Sequence, residues 1–280
     1  MKRKTALILT VGLVVSVLAL LAACGSGKPI SDTDRIDKLK KIRIAIHDNN
    51  MPFEAGSGTG VDGFDVDLMY EIAKELGDYK LEWNRVPEFN KCFEVLKAGG
   101  ADMIINAVSI TEERKKEYDF SVPYFDTGIR IAVKSASPVQ SAADLKGKRI
   151  GVEKDSTSEK YVKENIPDAK IVPVNSIEEA MNTNLSQDEI DAVIGDEPPL
   201  QYIINSSGDD QFRLVGERLS SEQYGIVMSK GSDLKAKIDQ AITKLKGAGK
   251  LEELKTKWKL FDKPPAAAGE AATATASPAK

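Results

Sequence analysis

The sequence predicts an α/β protein of two similar lobes, each built on a mainly parallel sheet. Short apolar strands alternate with amphipathic helices in the order βαβαβ, a pattern that places helices on both faces of parallel sheets. That alternation occurs twice along the chain. The two halves also echo each other. Ala101-Asp102-Met103-Ile104-Ile105 and Ile190-Asp191-Ala192-Val193-Ile194 each set one aspartate before an apolar strand that runs into polar residues.

In the first set, Ile42, Ile44 and Ile46 alternate as a strand. It breaks at His47-Asp48-Asn49-Asn50-Met51-Pro52, where proline and amide side chains favour a loop. From Asp65 to Leu76, the residues Leu68, Met69, Ile72, Ala73 and Leu76 share one helical face, with acids at the start and Gly77 as the stop. Tyr79, Leu81 and Trp83 alternate again, Phe89, Cys92, Phe93 and Leu96 form a second helical stripe, and Met103-Ile104-Ile105 reads as a buried strand. After Ile129, Ile131 and Val133 the second set follows: strand Arg149 to Val152, helix Ser158 to Asn165, strand Ile171 to Val174, helix Ser176 to Leu185, strand Ala192 to Ile194. Ser176-Ile177-Glu178-Glu179 has the form of a capping box.

The chain has 280 residues, 41% of them hydrophobic and 29% charged, a balance that excludes collagen-like and wholly disordered classes. A net charge of −4 offers nothing to hold a phosphate backbone, so no nucleic-acid partner is expected. Two cysteines and one histidine leave no metal centre and no disulfide framework.

Lys2, Arg3 and Lys4 precede an uncharged stretch from Thr5 to Ala23 that ends in Leu21-Ala22-Ala23-Cys24, followed by Gly25-Ser26-Gly27. These are the parts of a secretory signal over 1–23. The alternative is an uncleaved anchor, since the stretch at ~1.5 Å per residue almost crosses a bilayer. Cleavage removes three positive charges and no negative ones, leaving about −7. Residues 24–37 read as a linker, and 263–280, rich in Ala, Pro and Thr without apolar periodicity, as a disordered tail. The part expected to fold runs from about Asp37 to Phe261.

Ligands of open α/β sheets sit beyond the carboxyl ends of the strands. That rule selects the loops at 47–53, 106–114, 153–158 and 195–197. Thr111 is placed as an N-cap, and Arg114 offers a planar fork that fits a carboxylate. Asp155-Ser156-Thr157-Ser158 repeats hydroxyls and amides at a helix start, and Gly195-Asp196-Glu197 supplies carboxylates suited to an ammonium. One ligand bearing both groups, an α-amino acid, satisfies all three. On pattern alone the same residues also read as helix caps and surface charges.

Five segments carry a resemblance. They are Gly63-Phe64-Asp65-Val66-Asp67-Leu68, Ser109-Ile110-Thr111-Glu112-Glu113-Arg114-Lys115, Asp119-Phe120-Ser121-Val122-Pro123-Tyr124, Asp144-Leu145-Lys146-Gly147-Lys148 and Tyr224-Gly225-Ile226. In order and spacing, from about Lys41 to Trp258, they resemble the family 3 bacterial extracellular solute-binding proteins, amino-acid receptors of ABC importers. Leu21-Ala22-Ala23-Cys24 likewise resembles a lipobox, which implies lipidation of Cys24 and anchoring to the cell membrane.

The resemblance implies a type II periplasmic-binding-protein fold. Lobe one would comprise 38–124 and 225–262 and lobe two 129–219, with hinge crossings near Tyr124–Gly128 and Ser220–Tyr224. It implies that Arg114 and Ser109 hold the α-carboxylate with the backbone at Thr157, that Ala107 contributes its carbonyl and Asp196 holds the ammonium, and that Phe89 stacks on the ligand side chain. It also implies no catalysis, no cofactor, a free amino acid as cargo, ABC permease subunits as partners and a monomeric chain. The departures fall in the specificity region. His47 stands where an Asp is usual, Asn50 where an aromatic is common, Glu153 at a variable ligand-contacting position, and Asp155 in place of a usual Gly. Together they suggest a polar ligand side chain, with Glu153 and Asp48 tilting toward a cationic or amide one and His47 weakening a cationic ligand when protonated. Two other functions suit the same fold: a dehydratase-like enzyme using Glu153 or Glu159 as acid, and a sensor for a membrane receptor.

Overall fold

The computed structural model describes residues 31–260 apart from Thr59, Gly208 and Asp209. The expected signal, Cys24 and the 263–280 tail lie outside the described residues. The described residues begin with Ser31 and helix α1 (Asp32–Leu39), so the 24–37 linker expected from the sequence is helical from Asp32. Ser31 caps it by accepting from the Asp34 amide at 3.0 Å, and Ile36 is fully buried in the core of the first sheet. The cap, the buried isoleucine and long-range polar contacts such as Arg35 on Asp102 and Lys237 on Asp37 order a segment that carries no visible periodicity.

The first sheet contains β1 (Lys41–Ile46), β5 (Lys80–Arg85), β6 (Met103–Ile104), β7 (Tyr118–Phe120) and β15 (Val227–Ser229), in the order β5-β1-β6-β15-β7. β1 pairs parallel with β5 and β6, and β15 runs antiparallel between β6 and β7. Helices α2 (Phe64–Leu76) and α3 (Phe89–Lys97) bury Leu68, Met69 and Ile72, and Cys92 and Leu96, against it. Between β1 and α2 the structure adds a small antiparallel sheet that the sequence reading treated as loop: β2 (Asn49–Asn50), β3 (Glu54–Ser57) and β4 (Gly60–Asp62). Phe53 anchors this excursion in the core, packed edge-on against Phe64, Phe125 and Tyr224 at 5.1–5.8 Å.

The second sheet repeats the plan with β9 (Ile129–Lys134), β10 (Arg149–Glu153), β11 (Lys170–Val174), β12 (Ala192–Asp196) and β13 (Phe212–Val215), in the order β11-β10-β12-β9-β13. Three strands are parallel, and β9 is antiparallel to β12 and β13. The echoed aspartates have one task in both lobes. Asp102 accepts from the Arg43 amide and Asp191 from the Arg149 amide, each at 2.8 Å, and each also holds that arginine's guanidinium. Each therefore ties the start of the next strand to the start of the lobe's first parallel strand.

Helix α5 (Thr157–Asn165) follows β10 and helix α7 (Glu197–Ser206) follows β12. The helix after β11 begins at Ile177 and widens to a π-type helix over Ala180–Leu185. Ser176 does cap it, but Glu179 reaches back to the Asn175 amide, so the capping box is displaced by one residue. The sheets are joined by β8 (Phe125–Thr127) and β14 (Glu222–Tyr224), an antiparallel pair. Helices α8 (Leu234–Gly247) and α9 (Lys250–Lys257) then bury Ile238, Ile242, Leu251 and Leu254 in the core of the first sheet. Among the described residues, no helix is long and apolar enough to cross a membrane.

Candidate ligand site between the lobes

The carboxyl ends of the two sheets face each other across a cleft holding a cavity of about 30 Å³. Asn50, Phe89, Asn106, Ala107, Ser109 and Arg114 line it from the first lobe. Glu153, Ser156, Thr157, Ser158, Ile177, Gly195, Asp196 and Pro199 line it from the second. The structure thus brings Asn50, Phe89, Ala107, Ser109, Arg114, Glu153, Thr157 and Asp196 to one cavity and leaves His47, Asp48, Asp155 and Glu197 off its lining.

Arg114 opens a four-residue helix, α4 (Arg114–Glu117), shorter than its sequence suggests. Thr111 still acts as a cap, its hydroxyl accepting from the Arg114 amide at 3.1 Å. The guanidinium donates to the Ser109 carbonyl at 2.9 Å and lies 5.3 Å from the Phe89 ring centroid. Phe89 is therefore both a wall of the cleft and a cation–π partner of Arg114. From the second lobe, Ser156 caps α5 by accepting from the Glu159 amide, and Thr157 is that helix's first residue. The Thr157 hydroxyl donates to Glu222 in the crossing strand at 2.9 Å, and its backbone amide is among the helix's first-turn amides that have no intrahelical acceptor. Asp155 stands at φ 61°, a left-handed conformation that favours glycine and that aspartate tolerates.

Asp196, at the end of β12, accepts from the Tyr224 hydroxyl. Burial, with Glu222 nearby, raises its pKa to about 7, opposed by the Tyr224 hydrogen bond and Arg114. Glu197, grouped with it on sequence, points away and pairs with Arg130 and Arg218. Burial and the Asp196 charge push the Glu153 carboxyl up to about 8, with Arg114 acting against them. Asp48 is taken by Arg85 and does not reach the cavity.

His47 needs a correction. It is 3% exposed and is absent from the cavity lining, because β1 carries it behind Glu153, with Nδ1 3.8 Å from Glu153 Oε1. Burial lowers its pKa against the opposing pull of Asp48 and Glu88, so it stands as a neutral imidazole at physiological pH. Sequence reading missed Asn106, which sits in a flagged loop directly before Ala107, so position after a strand end was the available signal.

Several side chains cross the cleft. Asn49 Nδ2 donates to Ser176 Oγ at 3.0 Å, Asn90 Nδ2 donates to Asp155 Oδ2 at 3.1 Å, and Lys160 pairs with Glu113. The family model of the bacterial extracellular solute-binding proteins, family 3, matches residues 42–261, which takes in both sheets and the cleft. The chain belongs to this family.

Two relatives from Bacillus subtilis (strain 168) are the ABC transporter glutamine-binding protein GlnH and the arginine-binding extracellular protein ArtP. Each is 32% identical, with 85% of this chain and 92% of the relative covered. Among solved structures, a mutant of ArgBP from T. maritima matches with a TM-score of 0.75 and 31% identity, over 81% of this chain and 99% of the other. The arginine-, lysine-, histidine-binding protein ArtJ from Geobacillus stearothermophilus matches with a TM-score of 0.73 and 32% identity, over 81% and 97%. The fold is the type II periplasmic-binding-protein fold of this family.

Proposed function

We propose that the protein is an extracytoplasmic receptor for a cationic L-amino acid, which it holds between two closing lobes and delivers to an ABC importer. The charge inventory of the cavity carries this reading: one cation, Arg114, faces two carboxyls, Glu153 and Asp196. A zwitterion uses Arg114 for its carboxylate and Asp196 for its ammonium, which leaves Glu153 for a positive side chain. Ser109 and the Thr157 amide complete the carboxylate clamp, the Ala107 carbonyl assists with the ammonium, Phe89 flanks the side chain, and Asn50 adds an amide beside Glu153. Several relatives are arginine-binding proteins, which fits this inventory.

A cavity of about 30 Å³ holds about one water molecule, so the ligand enters when the lobes part and the crossing strands act as hinge. Binding and release are the whole of the proposed chemistry. A thermal-shift screen of the standard amino acids tests it, since a ligand at about 100 times its Kd adds ~2.7 kcal/mol of stability. Arginine or lysine is expected to give the largest shift. A screen in which no amino acid raises Tm removes the reading.

The same reading places the protein at the membrane through a lipid on Cys24, supported by the sequence Leu21-Ala22-Ala23-Cys24 with Gly25-Ser26-Gly27 after it. Cys24→Ser is expected to leave binding intact while abolishing processing or releasing the protein from membranes. Unchanged processing and retention would contradict lipidation.

A further inference from the structure

Behind the cavity, the first lobe buries two acids with no basic partner. Glu54, in β3, and Asp65, in the first turn of α2, are both fully buried. Glu54 Oε1 accepts from Asn50 Nδ2 at 3.0 Å and Asn106 Nδ2 at 2.7 Å, and both asparagines line the cavity. Asp65 Oδ2 accepts from the Ala107 amide at 2.7 Å and the Tyr124 hydroxyl at 3.0 Å. Ala107 also lines the cavity, at the left-handed φ of 46°, and Tyr124 directly precedes the first crossing strand. The remaining oxygens, Glu54 Oε2 and Asp65 Oδ1, find no N–H or hydroxyl donor among the described residues.

Two carboxylates in that setting cannot both ionise, and the remaining oxygens satisfy each other only through one shared proton. The two acids are neighbours, near enough for the Asp65 charge to act on Glu54. Burial and the Asp65 charge hold Glu54 far above the ordinary carboxyl range, and burial raises Asp65 to about 7. The other titratable groups that face the pair are the Tyr124 hydroxyl, the Cys92 thiol and Glu153. None of them is a cation.

We propose that Glu54 is a positioning residue of the ligand site, a protonated carboxylic acid that orients Asn50 and Asn106 toward the cavity while donating to Asp65, which in turn fixes the Ala107 turn and Tyr124. The inference rests on the cleft being the amino-acid site. An amide at position 54 reproduces the arrangement: its oxygen accepts from both asparagines and its N–H donates to Asp65 without a titrating proton. An apolar residue there leaves three buried polar groups without a partner.

The test compares wild type, Glu54→Gln and Glu54→Met by calorimetric titration with L-arginine and with L-glutamine, each variant checked for cooperative unfolding. Glu54→Gln is expected to bind within about threefold of wild type, and Glu54→Met to bind at least about tenfold more weakly. The infrared difference between wild type and Glu54→Gln at about pH 8 is expected to show a protonated-carboxyl band, which reports the proton even if Glu54→Met does not fold. A folded Glu54→Met that binds like wild type, a Glu54→Gln that loses binding, or a missing band overturns the proposal. If wild type itself binds neither amino acid, the receptor reading fails first.

Discussion

Arg114 meets the cleft with one guanidinium nitrogen on the Ser109 carbonyl and the other 3.4 Å from the Asp155 carbonyl of the opposite lobe. Among the described residues it is the single cation lining the cavity. Arg114→Ala leaves a ligand carboxylate without its charged partner, and a loss of ~3–5 kcal/mol, at least about two decades in Kd, is expected by calorimetry. Wild-type affinity in a folded Arg114→Ala would place the ligand elsewhere. Glu153 sets the pH dependence. With its pKa raised to about 8 and that of Asp196 to about 7, both carboxyls carry protons in the free protein below those values, and a bound cation draws them into the ionised form. Affinity for arginine is therefore expected to rise with pH through the window from about 7 to about 8, with proton release visible as a binding enthalpy that depends on the buffer. The sequence suggested the same direction through His47, but His47 is neutral and off the cavity. Glu153→Gln is expected to flatten the profile and His47→Asn to leave it, and the reverse result would restore His47 to the site. The same raised values make the unliganded protein lose stability as pH climbs from about 4 to about 8, because over that range the folded state holds protons that the unfolded chain has already released.

At the scale of elements, the strands and helices that bury apolar residues in register were legible because periodicity records burial directly. Ile42, Ile44 and Ile46, and Leu68, Met69 and Ile72, sit in the core where their spacing puts them. The β2–β4 excursion was not legible, since three glycines and several polar residues over 49–62 carry no period, and its anchor is the single ring of Phe53. Asp65 reads in sequence as an acid complementing the helix dipole, yet it is fully buried and accepts from the Ala107 amide and the Tyr124 hydroxyl. Nothing local distinguishes it from Asp67, which faces outward to Lys257 and Trp258. Within the site, Arg114 and Asp196 were legible as chemistry placed after strand ends, whereas the distinction between Asp196 and Glu197 depends on where the Arg130 and Arg218 side chains fall. Gly63 marks the point where the excursion meets α2. Its φ is 140°, and a Cβ there would lie 2.0 Å from the Phe53 carbonyl oxygen. Gly63→Ala is expected to cost more than about 2 kcal/mol in denaturant unfolding. An unchanged midpoint would show that this junction yields without penalty.

At the scale of the whole molecule, two sheets with the same strand order carry the two halves of one site, and the crossing strands β8 and β14 set the distance between them. The aromatic packing of Phe53, Tyr124, Phe125 and Tyr224 ties these crossings to the first lobe, and the Tyr224 hydroxyl reaches Asp196 in the second. The second crossing strand is thereby in direct contact with the group proposed to hold the ligand ammonium. The most direct measurement is a calorimetric series on the mature protein with L-arginine, L-glutamine and L-glutamate at one pH near neutrality. These ligands share the α-amino and α-carboxylate groups and differ chiefly in side-chain charge, so the order of affinities reads the charge of the pocket. Arginine is expected to bind most tightly, glutamine more weakly, and glutamate weakest because its second carboxylate meets Glu153. Glutamate binding most tightly, or none of the three binding, would contradict a cleft in which Arg114 and Asp196 clamp the zwitterion and Glu153 receives a cation.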